Sequence, residues 1–148
     1  MKLTSIISEM YNPDMEEVKN QFKDVLGQKL GAGDNGEAYL HAKDNSKTLK
    51  FTTDEGEADI AETIMGLGDK LKAFNRVHEV RSFDDKGIWV ITSDYCRMAN
   101  IENEEYLQFQ KAVEKECKQT GIPFDELDIS KDNIRRHPDT ENLVLIDY

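Results

Sequence analysis

Residues 27–52 read "GQKLGAGDNGEAYLHAKDNSKTLKFT", and the rest of the chain can be interpreted outward from them. Two turn-prone segments, "GDNG" and "KDNS", divide this stretch into three short runs, "GQKLGAG", "EAYLHA" and "SKTLKFT". Short runs separated by such turns are typical of antiparallel strands joined by hairpins. The stretch therefore predicts three antiparallel strands, with Gly31, Gly33 and Gly36 in the first hairpin.

An amphipathic helix is predicted immediately before these strands, over residues 14–26. Asp14 is suited to the N-cap of this helix. Val18, Phe22 and Leu26 recur at intervals of four residues and so share one face. A short amphipathic helix thus leads into the first strand.

Two more helices and three more strands are predicted after the hairpins. Apolar residues at helical spacing predict one helix from Glu55 to about Leu71 and another from Asn103 to Gln119, which Gly121 ends. Strands are predicted in "VHEVRSF" and "GIWVITS", and in "LVLI" near the C-terminus, with polar loop in the rest of the C-terminal segment. The fold class is therefore α+β, with a five-stranded antiparallel sheet and one helix inserted after its third strand.

The composition indicates one folded domain of acidic character. The chain has 148 residues, of which 38% are apolar and 33% charged, and its net charge is −11. Such a charge repels nucleic-acid phosphates and anionic lipid, so direct nucleic-acid binding is not expected. In the simpler interpretation the negative charge keeps the protein soluble. The alternative interpretation is that the protein is an acidic decoy that binds a basic partner protein.

The cysteines, histidines and apolar runs indicate an intracellular protein. Cys96 and Cys117 form no CxxC pattern and the three histidines are scattered, so neither a zinc site nor a disulfide is expected. No apolar run approaches the roughly 20 residues of a membrane span, and the start lacks the apolar core of a signal peptide. We therefore expect reduced thiols, no membrane association and a cytoplasmic location.

The three glycines of the first hairpin form a G-x-G-x-x-G pattern whose context determines its meaning. In a dinucleotide-binding unit this pattern leaves a strand and opens a helix, whereas here it leads into the strand-like "EAYLHA". The absence of G-x-x-x-x-G-K-[ST] excludes a P-loop. The remaining interpretation of the glycine pattern is a hairpin whose backbone amides cover phosphates. This interpretation requires that a cation and metal-holding side chains converge beneath the hairpin.

Lys50 and Glu57 are the predicted partners of this hairpin. Lys50 lies in the apolar segment "TLKF", where strand alternation directs it away from Leu49 and Phe51. On the following helix Glu57 shares the inward apolar face, whereas Glu62 points away. Ordinary surface charges are the alternative interpretation of both residues.

Three oxygen-bearing side chains follow near the C-terminus. The segment "DISKDNI" supplies Asp128 and Asn133, five positions apart, and Asp147 follows the strand "LVLI". A D-x-x-x-x-N pattern is common by chance. The prediction of a site therefore depends on the position of this pattern in the chain, after the glycines, the lysine and the glutamate.

Along the chain the segments follow in the order "LGAGDNGEA", "TLK", a helical glutamate, "WVITSDY", a helix, "DISKDN" and "LVLID". This order resembles that of the protein kinase-like fold family, which includes protein kinases and kinase-like small-molecule phosphotransferases. The resemblance covers residues 26–148 and is to a truncated or minimal form, similar to the compact kinase-like proteins that some bacteriophages encode. We therefore expect a single minimal domain with leading helices in residues 1–26; the resemblance implies an N-terminal lobe in 27–95 and a reduced C-terminal lobe in 96–148 that ends at a metal-binding aspartate.

The resemblance also implies roles for twelve residues. ATP would be bound by Gly31, Gly33 and Gly36 over its phosphates, by Lys50 on the phosphates, by Ala38 against the adenine, and by the hinge residues Asp94, Tyr95 and Cys96 at the adenine edge. Catalysis would involve Asp128 as the base for a substrate hydroxyl and Lys50 held by Glu57. Mg²⁺ would be bound by Asn133 and Asp147.

Three functions are compatible with these features. The first is an ATP- and Mg²⁺-dependent phosphotransferase of the Ser/Thr protein kinase type, with a reduced acceptor site and a protein partner or acceptor. The others are a non-catalytic kinase-like module that binds a partner and an acidic inhibitor that mimics nucleic acid.

Glu126 and Leu127 stand where the family commonly has His-Arg, and Asp34 adds an anion at the hairpin tip. If the chain is phage-encoded, its location is the host cytoplasm.

A small basic cluster, Arg135, Arg136 and His137, stands in this acidic sequence. Its residues are expected to pair with the nearby Asp139 and Glu141. Binding of an acidic acceptor by this cluster is the alternative.

Overall fold

The computed structural model describes residues 12–148, so the part of the predicted leading helices that falls in residues 1–11 lies outside the described residues. The described chain is an α+β protein with three α-helices and eight β-strands. No helix in this range has both the length and the apolar character needed to cross a membrane. The helices are α1 (Pro13–Gln21), α2 (Glu55–Leu67) and α3 (Asn103–Thr120). The strands are β1 (Leu26–Ala32), β2 (Gly36–His41), β3 (Lys47–Thr52), β4 (Val77–Phe83), β5 (Ile88–Asp94), β6 (Arg97–Met98), β7 (Ile134–Arg136) and β8 (Leu143–Leu145).

The larger sheet contains the five strands that the sequence predicts, in the spatial order β1-β2-β3-β5-β4. All of its strand pairs are antiparallel, and α2 lies between β3 and β4 in the chain, which confirms the predicted order. β3 is the middle strand, with β2 on one side and β5 on the other. Successive side chains of β3 therefore face two different environments in the interior of the protein.

Helix α1 covers one face of the larger sheet, and α2 packs on the opposite face. Val18 of α1 has no exposed surface and packs in one apolar cluster with Leu49, Phe51 and Val90. Ile91, the next residue along β5, belongs instead to the cluster that contains the buried residues of α2. The alternation of β5 between the two clusters shows that both faces of the sheet are covered.

The bounds of α1 differ from those of the helix predicted over residues 14–26. Asn12 is the N-cap residue, because its side-chain oxygen accepts the amide of Asp14 at 3.0 Å. The helix ends at Gln21, because Phe22 leaves helical geometry and its ring packs edge-on into the apolar cluster of the sheet.

Helix α2 is also shorter than predicted. It ends at Leu67, because Gly68 adopts a φ of 53° and interrupts the helical hydrogen bonding. Leu71, the predicted last residue of the helix, follows a short 3-10 turn in extended conformation and is nevertheless buried. Ile64 of the predicted stripe is buried against the sheet, Ile60 and Leu67 are partly buried, and Ala61 is buried as well.

A second sheet with the order β6-β7-β8 was predicted only in its last strand. The segment predicted as polar loop contains β7, which pairs with β6 on one side and with β8 on the other. β6 and β7 have two and three residues, which is too short for an alternating pattern to be recognised. Ile134 alone anchors β7 in the core, with no exposed surface.

Helix α3 confirms the predicted apolar stripe. Phe109, Val113 and Cys117 are buried in the cluster that also contains Ile134 of the second sheet. The helix ends one residue later than predicted, before Gly121, which has a left-handed φ of 84°. α3 therefore forms the apolar support of the second sheet.

Besides side-chain contacts, two backbone connections join the two sheets. The chain passes from β5 to β6 through residues 95–96. The second connection is a parallel bridge between Phe74 and Leu145. In this bridge the Asn75 amide donates to the Leu145 carbonyl at 3.0 Å, and the Leu145 amide donates to the Ala73 carbonyl at 2.8 Å. The space between the sheets is thus bounded by two backbone connections.

Gly36→Ala should destabilise the larger sheet, because a Cβ at this position would lie 2.0 Å from the carbonyl oxygen of Phe51 on β3. We expect a loss of about 3 kcal/mol in the free energy of unfolding, measured by urea denaturation. Gly33→Ala is the matched control, since a Cβ there meets nothing within 4 Å. Its loss should stay below about 1 kcal/mol, and similar losses for the two variants would contradict the prediction.

Candidate functional site

A cleft of about 620 Å³ lies between the glycine hairpin and larger sheet on one side and the C-terminal segment on the other. Small-molecule sites commonly have volumes of roughly 300 to 1,000 Å³. The cleft is lined by all twelve residues to which the sequence analysis assigns a role: Gly31, Gly33, Gly36, Ala38, Lys50, Glu57, Asp94, Tyr95, Cys96, Asp128, Asn133 and Asp147. The fold thus brings together side chains from widely separated parts of the sequence.

Lys50 lines this cleft from the face of β3 opposite to Leu49 and Phe51. Its Nζ donates to Glu57 Oε2 at 2.5 Å and to Asp147 Oδ1 at 2.6 Å. Burial disfavours the charged form, but attraction to the two carboxylates outweighs it, and the pKa of Lys50 is raised. Lys50 is therefore a permanently charged ammonium at neutral pH.

The position of Glu57 follows from the start of α2. Asp54 is the N-cap residue, and its side chain accepts the Glu57 amide at 3.2 Å. The Glu57 side chain is only 8% exposed, whereas Glu62, on the other face of the helix, is exposed. Helical geometry thus directs one of these two glutamates to Lys50 and the other to solvent.

The glycine hairpin is closed by its own backbone and anchored at its tip. The Gly33 amide donates to the Gly36 carbonyl at 2.9 Å, and the Thr53 amide donates to the Asn35 carbonyl at 2.8 Å. A Cβ at Gly31 or Gly33 would meet no protein atom within 4 Å. Packing within the protein therefore requires glycine at position 36, whereas the first two glycines leave uncovered backbone beside the cleft.

Asp128, Asn133 and Asp147 line the C-terminal side of the cleft. Asn133 Nδ2 donates to the Asp128 backbone carbonyl at 3.0 Å, and the Ile146 amide donates to the Asn133 carbonyl at 2.9 Å. These bonds hold Asn133 beside the segment that carries Asp147. The Asp128 side chain is exposed, and its carboxylate has no hydrogen-bond partner among residues 12–148.

Asn133 and Asp147 carry oxygen atoms of the kind that Mg²⁺ prefers. In the described part of the chain, no group of three or more His, Cys, Asp or Glu side chains is arranged to hold a metal ion. A divalent cation at these two residues would therefore take most of its ligands from water or from a bound phosphate, as Mg²⁺ commonly does. The donor set fits a metal that enters together with a ligand.

The Asp94 carboxylate connects the two sheets at the hinge. His78 on β4 places Nε2 at 2.6 Å from Oδ1, and His137, directly after β7, places Nε2 at 2.8 Å from Oδ2. Partial burial opposes ionisation, but the two imidazole contacts outweigh it, and the pKa of Asp94 is lowered. His137 Nδ1 accepts the Asp139 amide at 3.1 Å, so the neutral ring has its proton on Nε2, where it is donated to Asp94.

Asn75 is a residue of the cleft that the sequence analysis missed. It is 3% exposed, and its Nδ2 donates to the Asp94 carbonyl at 2.8 Å while its Oδ1 accepts from the Cys96 thiol at 3.3 Å. Burial and the neighbouring Asp94 charge raise the pKa of Cys96 to about 12. The signal that could have found Asn75 is an uncharged polar residue directly after the apolar segment "AF", where a buried amide needs partners.

The basic cluster does not pair as predicted. Arg136 forms an ion pair with Glu105 of α3 at 3.3 Å, and it donates to the backbone carbonyl of Glu141 at 2.7 Å. The Glu141 carboxylate pairs with Arg97 of β6 instead. Asp139 forms no ion pair with the cluster in the described chain. The β6-β7 pairing and the packing of α3 bring these long-range partners closer than the neighbours in sequence.

Comparison with protein-family models and with curated protein sequences gives no match for this chain. Its function is therefore inferred from the side chains of the cleft.

Asp94→Asn should lower the free energy of unfolding at pH 7 by about 1 to 2 kcal/mol, because asparagine cannot replace a carboxylate that accepts from two imidazoles. The folded-state pKa of Asp94 is lowered, so its contribution is present above the unfolded value of about 3.9 and is lost as the pH falls through the folded value. Urea denaturation between pH 7 and about pH 2.5 should show the difference from wild type closing in acid. Asp139→Asn is the control, and a difference that persists unchanged in acid would contradict this assignment.

Proposed function

We propose that this chain is a kinase-like protein that binds ATP and Mg²⁺ and transfers the γ-phosphate to a hydroxyl acceptor. One observation carries the proposal: all twelve residues that the resemblance assigns to nucleotide, catalysis and metal line one cleft, with Lys50 between Glu57 and Asp147. A chance resemblance between short segments gives no reason for these residues to line the same cleft.

The charge of the cleft determines how a triphosphate enters it. Seven acidic and two basic residues line the cleft: Asp34, Glu37, Asp54, Glu57, Asp94, Asp128 and Asp147, with Lys50 and Arg135. Lys50 is already paired with two of these carboxylates. A triphosphate therefore requires an accompanying divalent cation, and Asn133 and Asp147 would hold Mg²⁺, which neutralises phosphate charge.

The residues of the cleft have separate tasks under this proposal. The uncovered backbone at Gly31 and Gly33 leaves room for phosphate oxygens to approach the hairpin, although the Gly33 amide itself is already donated to the Gly36 carbonyl. Lys50 supplies a positive charge whose position is fixed by Glu57. Asp128 would accept the proton of the acceptor hydroxyl as phosphoryl transfer proceeds.

A non-catalytic nucleotide-binding module is the second candidate, and the environment of Asp128 favours it. The Asp128 carboxylate is exposed and has no hydrogen-bond partner in the described residues. A general base acts best when a neighbouring group fixes its orientation. In this alternative, ATP binds in the same cleft and the complex acts on a protein partner without phosphoryl transfer.

Calorimetric titration with ATP and Mg²⁺ tests nucleotide binding. Wild type should bind, and Lys50→Met should lose about tenfold or more in affinity, as expected for a charged hydrogen-bond donor. Lys43→Met is the matched control, because Lys43 is exposed and does not line the cleft. Thermal unfolding of both variants establishes that they are folded. Absence of ATP binding by wild type would refute the proposal.

Incubation with labelled ATP separates the two candidate functions. If the chain is a phosphotransferase, Asp128→Asn should reduce ATP hydrolysis or self-labelling about 100-fold while leaving ATP affinity unchanged. Asp125→Asn removes an exposed carboxylate outside the cleft and should behave as wild type. A wild type that binds ATP but neither hydrolyses it nor labels itself would support the non-catalytic module.

A further inference from the structure

Arg135 is the basic residue of the cleft to which the proposed function assigns no task. It lies in the middle of β7, where Ile134 before it points into the core and Arg135 lines the cleft. In the register of the second sheet Arg135 lies opposite Met98, two residues after the hinge residue Cys96. Arg135 therefore belongs to the hinge end of the cleft, where the resemblance to the kinase-like family places the base of the nucleotide.

The guanidinium of Arg135 is only partly used within the protein. Its Nη1 donates to the backbone carbonyls of Asp132 and Ile134, the latter at 3.1 Å. Across residues 12–148, Nε and Nη2 have no hydrogen-bond partner and the guanidinium forms no ion pair. Lys50, in contrast, is bonded to two carboxylates. A ligand in the cleft thus finds donors at Arg135 that are not already engaged by an anion.

Several backbone amides and carbonyls of the hinge residues are already hydrogen-bonded within the protein, which leaves fewer of them to bind a base. The Asp94 amide donates to the Arg76 carbonyl at 3.2 Å, and the Tyr95 amide donates to the Ser46 carbonyl at 2.7 Å. The Asp94 carbonyl accepts from Asn75 Nδ2 at 2.8 Å. An exocyclic amino group such as that of adenine needs an acceptor, and the second lone pair of this carbonyl already faces the Cys96 thiol, with Sγ at 3.9 Å.

Thr48 and Ser93 line the same part of the cleft with hydroxyl groups. Their Oγ atoms lie 3.0 Å apart and share a hydrogen bond. Because a hydroxyl can rotate and serve as donor or acceptor, this wall accommodates either an amino or an oxo substituent on a purine. The wall therefore does not by itself exclude a base other than adenine.

We propose that the hinge end of this cleft binds the 6-oxopurine bases guanine and hypoxanthine at least as tightly as adenine, with Arg135 donating to O6 and N7. The planar guanidinium fork matches these two adjacent acceptors. Adenine has an amino group at position 6, so the same fork meets one acceptor and one donor. This inference rests on the proposed function, because it concerns the base of the nucleotide whose phosphates lie at Lys50.

Calorimetric titrations with the Mg²⁺ complexes of ATP, GTP and ITP test the inference. Wild type should bind GTP and ITP at least as tightly as ATP. Arg135→Leu should weaken binding of GTP and ITP about tenfold and that of ATP by less than about threefold. Arg135→Lys keeps the charge but lacks the fork, and it should show the same selective loss. Arg97→Leu, on the neighbouring strand and outside the lining of the cleft, is the control.

The outcomes distinguish this inference from the proposed function. Tighter binding of ATP than of GTP and ITP by wild type overturns the inference and leaves the proposed function in place. Equal losses for all three nucleotides in both Arg135 variants, with thermal unfolding unchanged, also overturn it. Tight GTP binding with weak ITP binding overturns it as well, because the 2-amino group would then be recognised instead of O6 and N7. If none of the three nucleotides binds to wild type, the inference and the proposed function both fail.

Discussion

The structure depends above all on how the ammonium of Lys50 is neutralised. Its side chain is only 25% exposed, and a charge in such a position is costly unless it is paired and hydrogen-bonded. Glu57 and Asp147 satisfy this requirement from two segments that enclose β4, β5, α3 and the second sheet between them in the chain. A single cation thereby connects the middle strand of the larger sheet, the inserted helix and the segment after β8. These attachments bring three distant parts of the chain together in the wall of the cleft.

The middle strand can present this lysine because its other face is covered. Leu49 and Phe51 are buried under α1, while Thr48 and Lys50 line the cleft. A slip of one residue in the register of β3 would exchange the two sets and bury the ammonium among apolar side chains. Packing of α1 therefore determines which face of β3 meets a ligand. The apolar cluster thus positions the polar site from the opposite face of the sheet.

The parts of the structure that were predictable from sequence are those determined by local patterns. Turns and alternation indicate the five strands, and helical geometry distinguishes Glu57 from Glu62. β6 and β7 are too short for any pattern, and they form because the hinge and the C-terminal segment pair with each other across the fold. The buried Asn75 has no periodic neighbours, and its amide is explained only by the hinge groups that it contacts. Asn12 and Asp14 are both good N-cap types, and Pro13, which suits the first helical position, is the signal that favours Asn12.

The parallel bridge between Phe74 and Leu145 restricts how the two sheets can move. Lobes connected by one chain segment can swing and twist in several directions, whereas these sheets are connected both at residues 95–96 and at the bridge. Two points of attachment define a line. A rotation about that line is therefore the relative movement of the two sheets that leaves both backbone connections intact.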